Sequence, residues 1–266
     1  MSGAPASSRA PRIVYGGDRQ LGVDILRFLA GQQVEPLGLL LPAPGQGTHS
    51  EQLLSLCPHL DASRIWYGKF FQDQGALDAL RSLDLDYIIC VRLPTVMPRS
   101  VLEIPRHGVL NMHPAYLPYN RGWHSAVWSI LEGTPFGATL HFMSEKVDAG
   151  DIVHQKMVEK RPDDTGDSLY KRAMALEPEL FREAWPALSN FTYSRTPQIP
   201  GSGTAHKIKD LAASGVQRLD LNSAAPIGDL IDRLRALTTN RLDEAAFFVK
   251  DGRKYQINVS ITETAE

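Results

Sequence analysis

The 266-residue chain holds only two cysteines, Cys57 and Cys90, each inside an apolar run, LLSLCP and YIICV. No CxxC and no Cys/His ligand spacing occurs, so nothing signals a zinc site, a redox pair or a disulfide framework. Two buried reduced thiols are expected, and no metal. Long apolar stretches are equally scarce, and none approaches the ~18 residues of a membrane span. The opening MSGAPASSRAP is small and polar, without the apolar centre of a signal peptide; residues 1–11 are expected to form a disordered tail and the protein to be cytoplasmic. Excess charge is missing too. Lys and Arg number 28 against 30 Asp and Glu, a formal charge of −2, which disfavours a general nucleic-acid binder because such a protein needs a basic face. Hydrophobic residues still make up 43% of the chain, enough to fill a core.

What is present is an alternation. Arg12–Gly17, Val34–Leu41, Arg64–Tyr67, Tyr87–Val91 and Gly108–Met112 read as buried strands. Leu21–Ala30, Glu51–Leu56, Gln74–Leu83, Ser100–Ile104 and Ser125–Glu132 read as the helices between them. Strands separated by such helices imply an α/β fold with a doubly wound, mostly parallel sheet. Two further strands, Gly137–Phe142 and Ile152–Val158, flank the polar segment SEKVDAGD. Thr165–Asn190 is expected to form a long helix, capped by Thr165 and striped by Leu169, Ala173, Leu176, Leu180 and Trp185. The Pro/Gly/Ser-rich 197–204, TPQIPGSGT in context, suits a linker between a domain over 12–196 and a small C-terminal α+β element over 205–266. That element is expected to carry helices Ile208–Leu221 and Gly228–Leu237, then a hairpin of Ala246–Val249 and Tyr255–Ile261 turning at Asp251-Gly252.

The first strand runs into VYGGDRQLG, whose glycines are Gly16, Gly17 and Gly22. That spacing is not GxGxxG, and no acidic residue ends the second strand, so the turn is read as structural and the dehydrogenase reading loses its support.

The chemistry concentrates in GVLNMHPAYLPYNRGWHSAVWSILEGTPFGATLHFMSEKVDAGD, from Gly108 to Asp151. Asn111 and His113 are two apart on a strand, so their side chains share a face. They lie at its C-terminal end, where open α/β sheets place their sites. Pro114 and Pro118 keep the following residues on an irregular loop. Asp148 lies in another inter-strand loop. An amide, an imidazole and a carboxylate can thus converge, with no metal-ligand spacing between them. Singly, each also reads as an ordinary hydrogen-bonded strand end or turn former.

Together NMHP, YLP, NRG, an apolar helix and VDAGDI resemble the 10-formyltetrahydrofolate-dependent formyltransferases, among them methionyl-tRNA, phosphoribosylglycinamide and nucleotide-sugar N-formyltransferases. The resemblance covers 12–190 in element order and is specific over 86–155. It implies a Rossmann-like core and places the family's N-x-H-P asparagine and histidine on Asn111 and His113, and its loop aspartate on Asp148. LPYNRGW followed by His124 looks more like the nucleotide-sugar enzymes than the others. As implied by the resemblance, the pterin of the donor, 10-formyltetrahydrofolate, lies between two loops. These are Arg92–Met97, with Arg92, Leu93, Thr95, Val96 and Met97, and Ser144–Val147, with Glu145, Lys146 and Val147. Arg92 departs from the apolar or aromatic residue of the family pattern. The acceptor is expected near Tyr116, Tyr119, Asn120, Arg121, Trp123 and His124. Arg121 suits either a phosphate or a brace for its own loop, and Trp123 either a sugar ring or a buried anchor.

Formyl transfer develops negative charge on the formyl oxygen, and Asn111 can donate to it. An imidazole with a pKa of ~6.5 can take a proton from an amine, the role of His113, with Asp148 orienting it. The acceptor class follows partly from charge. Between Gly201 and Glu266 nine Lys or Arg stand against nine Asp or Glu, so this stretch is neutral, whereas a tRNA grip should be basic. DLIDRLRALTTN and EAAFF resemble the small C-terminal element of the nucleotide-sugar enzymes. The expected partner is a small-molecule amine, first a nucleotide-linked amino sugar, with no nucleic acid and no membrane. Alternatives are an amino-acid or hydroxyornithine N-formyltransferase of siderophore or antibiotic assembly, and a formyltetrahydrofolate hydrolase. Ala246–Phe248 and the last strand offer an edge for a homodimer, though a monomer's own core would look the same.

Overall fold

The computed structural model describes residues 9–265. The first strand, β1 (Ile13–Gly17), is buried throughout, and α1 (Arg19–Gly31) returns along it with Val23, Ile25, Leu26 and Leu29 inward. Next come β2 (Leu39–Leu41), α2 (Ser50–Ser55), β3 (Ile65–Tyr67), α3 (Gln74–Arg81), β4 (Tyr87–Val91), α4 (Arg99–Leu102) and β5 (Gly108–His113). The strand expected over Val34–Leu41 is shorter and begins only at Leu39. The helix expected to begin at Ser100 begins one residue earlier and stops at Leu102.

There follow β6 (Arg121–Gly122), α5 (Ser125–Leu131), β7 (Phe136–Phe142) and β8 (Ile152–Val158). The chain closes with α6 (Gly166–Ser189), β9 (Ala205–His206), α7 (Asp210–Ala213), α8 (Ile227–Ala236), β10 (Ala246–Lys250) and β11 (Arg253–Ile257). Thr165 caps α6 as expected: its hydroxyl accepts from Ser168 N at 3.2 Å, and the Ser168 hydroxyl accepts from Thr165 N at 2.9 Å. That is a capping box with serine in the place of glutamate.

The seven-stranded sheet has the order β3-β2-β1-β4-β5-β7-β8. Pairings β1–β2, β2–β3, β1–β4 and β4–β5 are parallel. The chain builds outward from β1 to β3, then crosses to the other side of β1 for β4. Strand order therefore reverses beside β1, and in sheets of this kind the reversal opens a crevice at the carboxyl ends of the strands.

Two compact units emerge. One takes the described residues up to His113, Leu140–His154 and Glu177–Pro197; the other takes Pro114–Thr139, Gln155–Leu176 and the chain from Gln198 onward. The first is cored by Val14, Leu40, Trp66, Phe70, Leu77, Leu80 and Ile88 with their neighbours. Each such side chain contributes ~1.5–3 kcal/mol on burial, so the loops leaving these strands stand on a firm base. The second is cored by Val127, Trp128, Ile130, Phe136, Leu169, Ala173, Leu237 and Ala246.

The helix expected over Ile208–Leu221 shrinks to α7, because Gly215 at φ +70° turns the chain out of helical geometry. The hairpin of β10 and β11 forms with Asp251 (φ +51°) and Gly252 (φ +73°) both left-handed, as a two-residue turn of type I′ requires. Of the expected disordered tail, residues 1–8 lie outside the described residues. Beyond them Arg9 pairs with Asp86 at 2.8 Å and Pro11 is buried. Both cysteines are buried thiols, pushed up to about 11 at Cys57 and about 12 at Cys90 chiefly by burial. Among the described residues no helix is long and apolar enough to cross a membrane.

Candidate functional site

The first unit brings together Asn111 and His113 at the end of β5 and Asp148 from the β7–β8 connection. Met112, between the first two, is buried on the opposite face, as strand alternation requires. One oxygen of Asp148 lies 3.5 Å from His113 Nδ1. Its other oxygen lies 3.5 Å from Nε2 of a histidine that the sequence reading missed, His141 on β7. The three predicted residues thus converge around a fourth.

His141 is buried, and its ring fixes its own tautomer. Nδ1 lies 2.8 Å from the Phe142 carbonyl, which can only accept, so Nδ1 carries a proton. Nε2 faces both Asn111 Nδ2 at 3.3 Å and an Asp148 oxygen at 3.5 Å. The signal for His141 was present in the sequence as one ionisable side chain within the apolar strand ATLHF.

The loop that carries Asp148 is tightly built. Ser144 Oγ donates to Lys146 O at 2.8 Å, and Asp148 itself is left-handed at φ +51°. Gly150 is required by space: a Cβ there would sit 1.9 Å from the Phe142 carbonyl oxygen. Glu145, Lys146 and Val147 are exposed, and Glu145 makes an exposed 3.7 Å pair with Arg99, worth little in stability.

The other expected donor loop leaves β4 through Arg92, left-handed at φ +60°. Its side chain is 11% exposed, and the guanidinium bonds the Glu177 carboxylate of α6. Burial pushes Glu177 up to about 7, against the downward pull of that guanidinium. Leu93 packs on the core, Met97 is a core residue at 2% exposure, and Val96 projects outward at 69%. Thr95 N bonds back to Leu93 O at 2.8 Å. Met97 therefore supports the loop from beneath, while backbone and Val96 form its outer surface. Glu177 is the second residue the sequence reading missed.

The expected acceptor residues belong to the second unit. Asn120 is fully buried, and its Nδ2 donates to Thr134 Oγ1 at 3.0 Å and Pro135 O at 3.3 Å. Arg121 donates to Gln198 Oε1 at 3.0 Å and Ser202 O at 2.6 Å, so the bracing role is the one its geometry displays. His124, left-handed at φ +57°, faces Glu244 at 3.5 Å. Tyr116 and Tyr119 are half-buried, and Trp123 is 52% exposed. Trp123 is thus the large aromatic of this stretch turned to solvent. No group of three His, Cys, Asp or Glu able to hold a metal occurs among the described residues.

Comparison with known proteins decides the family. Residues 58–185 match the family described as formyl transferase, and 212–263 match the N-formyltransferase dimerization C-terminal domain. The dTDP-4-amino-4,6-dideoxyglucose formyltransferase of Mycobacterium bovis is 36% identical over 175 residues, 65% of this chain and 72% of that protein. The chain belongs to the formyltransferase family. A methionyl-tRNA formyltransferase of Agathobacter rectalis is 34% identical over 195 residues, 70% of this chain and 62% of that one. The fold of this formyltransferase is shared with a sugar N-formyltransferase from Shewanella, with a TM-score of 0.78 at 24% identity over 96% of this chain and 99% of that one.

Proposed function

We propose that the protein is an N-formyltransferase that moves the formyl group of 10-formyltetrahydrofolate to the amine of a nucleotide-linked amino sugar. The observation that carries this reading is the convergence of Asn111, His113 and Asp148 in a chain 36% identical to a dTDP-amino-sugar formyltransferase. The donor is assigned to the loops Arg92–Met97 and Ser144–Val147, whose backbone suits the edge of a pterin and whose Val96 and Val147 offer apolar contact. This is an open, backbone-rich cradle with a firm floor, and it fits the group.

In this reading a C–N bond forms between the acceptor amine and the formyl carbon, and the bond from that carbon to the folate nitrogen breaks. Asn111 donates an Nδ2–H to the formyl oxygen, where negative charge develops. His113 takes the proton lost by the attacking amine and returns it to the departing nitrogen. Asp148 holds the imidazole and stabilises its charged form. The solvent-facing ring of Trp123 is assigned to the acceptor, with Tyr116 and Tyr119 beside it in sequence.

Residues 12–196 are assigned to catalysis and 205–266 to a small domain that pairs two copies, an assignment supported by the family matched over 212–263 and by the exposed Ile227, Leu230 and Ile231 of α8. The reading places the enzyme in the cytoplasm. It is tested by incubating the protein with 10-formyltetrahydrofolate and dTDP-4-amino-4,6-dideoxyglucose and following tetrahydrofolate and product mass. Equal amounts of tetrahydrofolate and formylated sugar are expected, and none from His113→Asn. Formate released without an acceptor would instead identify a hydrolase.

A further inference from the structure

We infer that the buried pair Arg92–Glu177 sets the shape of the loop that receives the formyl donor, and that Glu177 acts as a positioning residue for it. The inference rests on the donor reading above. Arg92 is the first residue after β4, and its left-handed backbone is disfavoured for any residue with a Cβ. Glycine would adopt that conformation freely. Here an arginine stands in its place, so something outside the backbone must hold it.

That hold is the guanidinium. It lies nearly out of solvent against Glu177, whose side chain is fully buried. The second carboxylate oxygen of Glu177 is buried with no hydrogen-bond partner among the described residues. Such a pair is a poor device for stability, since apolar residues of similar volume commonly do as well or better. What the pair supplies is geometry, a fixed direction for the Arg92 side chain.

The rest of the loop agrees. Val91 O accepts from Asp18 N at 3.1 Å, Leu93 packs on the core, and Met97 is buried in it. The chain is thus anchored before and after residues 94–96, and the exit direction from β4 is governed by the torsion at Arg92. With the pair gone, an ordinary residue at 92 relaxes toward negative φ and carries the outward backbone of Thr95 and Val96 with it. Glu177 touches no reacting atom in this account.

Three variants separate positioning from general support: Glu177→Gln, Arg92→Ala/Glu177→Gln and Arg92→Gly/Glu177→Gln. The probe is 5-formyltetrahydrofolate, titrated against the full chain, alongside KM for 10-formyltetrahydrofolate. Arg92→Ala/Glu177→Gln is expected to weaken probe binding and raise donor KM about tenfold, more than it lowers kcat, the scale of one strained torsion. Arg92→Gly/Glu177→Gln lacks the same pair but tolerates the torsion, and is expected to recover most of that affinity. Glu177→Gln keeps an acceptor for the guanidinium and is expected to fall between wild type and the alanine variant. Equal binding by the wild type and both double variants overturns the inference, as does a glycine variant as weak as the alanine one. A wild type that does not bind the probe at all overturns the donor reading as well.

Discussion

Asn111 Nδ2 stands 3.3 Å from Nε2 of the buried His141 imidazole, a contact that anchors the amide. In the proposed mechanism, replacing Asn111 by Ala removes the oxyanion donor and is expected to lower kcat by about 10²–10³-fold, with KM values little changed. His141→Leu leaves the donor in place but unanchored, and a smaller loss of about tenfold is expected. Steady-state kinetics distinguishes the two, and a His141 variant with wild-type kcat would remove the anchoring role.

Gly150 admits no side chain. The Cβ of Gly150→Ala would meet the Phe142 carbonyl at 1.9 Å, and that oxygen is a backbone atom unable to swing aside. The neighbouring loop must shift, at a cost of about 3 kcal/mol or more. Thermal unfolding should register a lower Tm, and activity should fall with it as Asp148 moves. An alanine variant that melts with the wild type would show the loop free to adjust.

Glu177 gives the folded protein a pH dependence of known sign. Burial raises its pKa from an ordinary 4.5 to about 7, so between those values the native chain holds a proton that the unfolded chain has lost. Its stabilising contribution is complete below the lower value and fades as pH rises through the upper one. The Tm of wild type minus that of Glu177→Gln is therefore expected to fall as pH is raised from about 5 to 8. A difference independent of pH would mean that the carboxylate stays ionised beside Arg92 throughout.

Trp123 is half exposed, so Trp123→Ala is expected to change stability by no more than about 0.5 kcal/mol. If the ring covers the acceptor, acceptor KM rises about tenfold while donor KM holds. A rise in donor KM instead would assign the ring to the other substrate.

Much of this molecule was legible because buried parallel strands are short apolar runs, and β1, β4 and β5 read that way directly. The proposed site was legible because Asn111, His113 and Asp148 come as a recognisable set, and the structure brings them together. What stayed hidden has physical reasons. A two-residue pairing such as β6 with β9 carries no periodicity. Glu177 looks like any acid on a helix surface, and its partner is 85 residues away. Asn120 and Arg121 sit in the motif expected to meet the acceptor, yet their side chains bond within the second unit. A motif reports which residues recur together, and says less about which of them face outward.

The stretch 197–204 has the composition of a tether, but it behaves as a splint. Its Gln198, Ser202 and Thr204 bond Arg121 and the backbone of Asn120 and Arg121, and β9 pairs with β6 just beyond it. A fragment ending at residue 196 would contain every side chain proposed for catalysis and still lose the support of the loop before Trp123. Extra residues inserted at this place would likewise disturb that loop, although they fall more than seventy positions from any residue proposed to meet the acceptor.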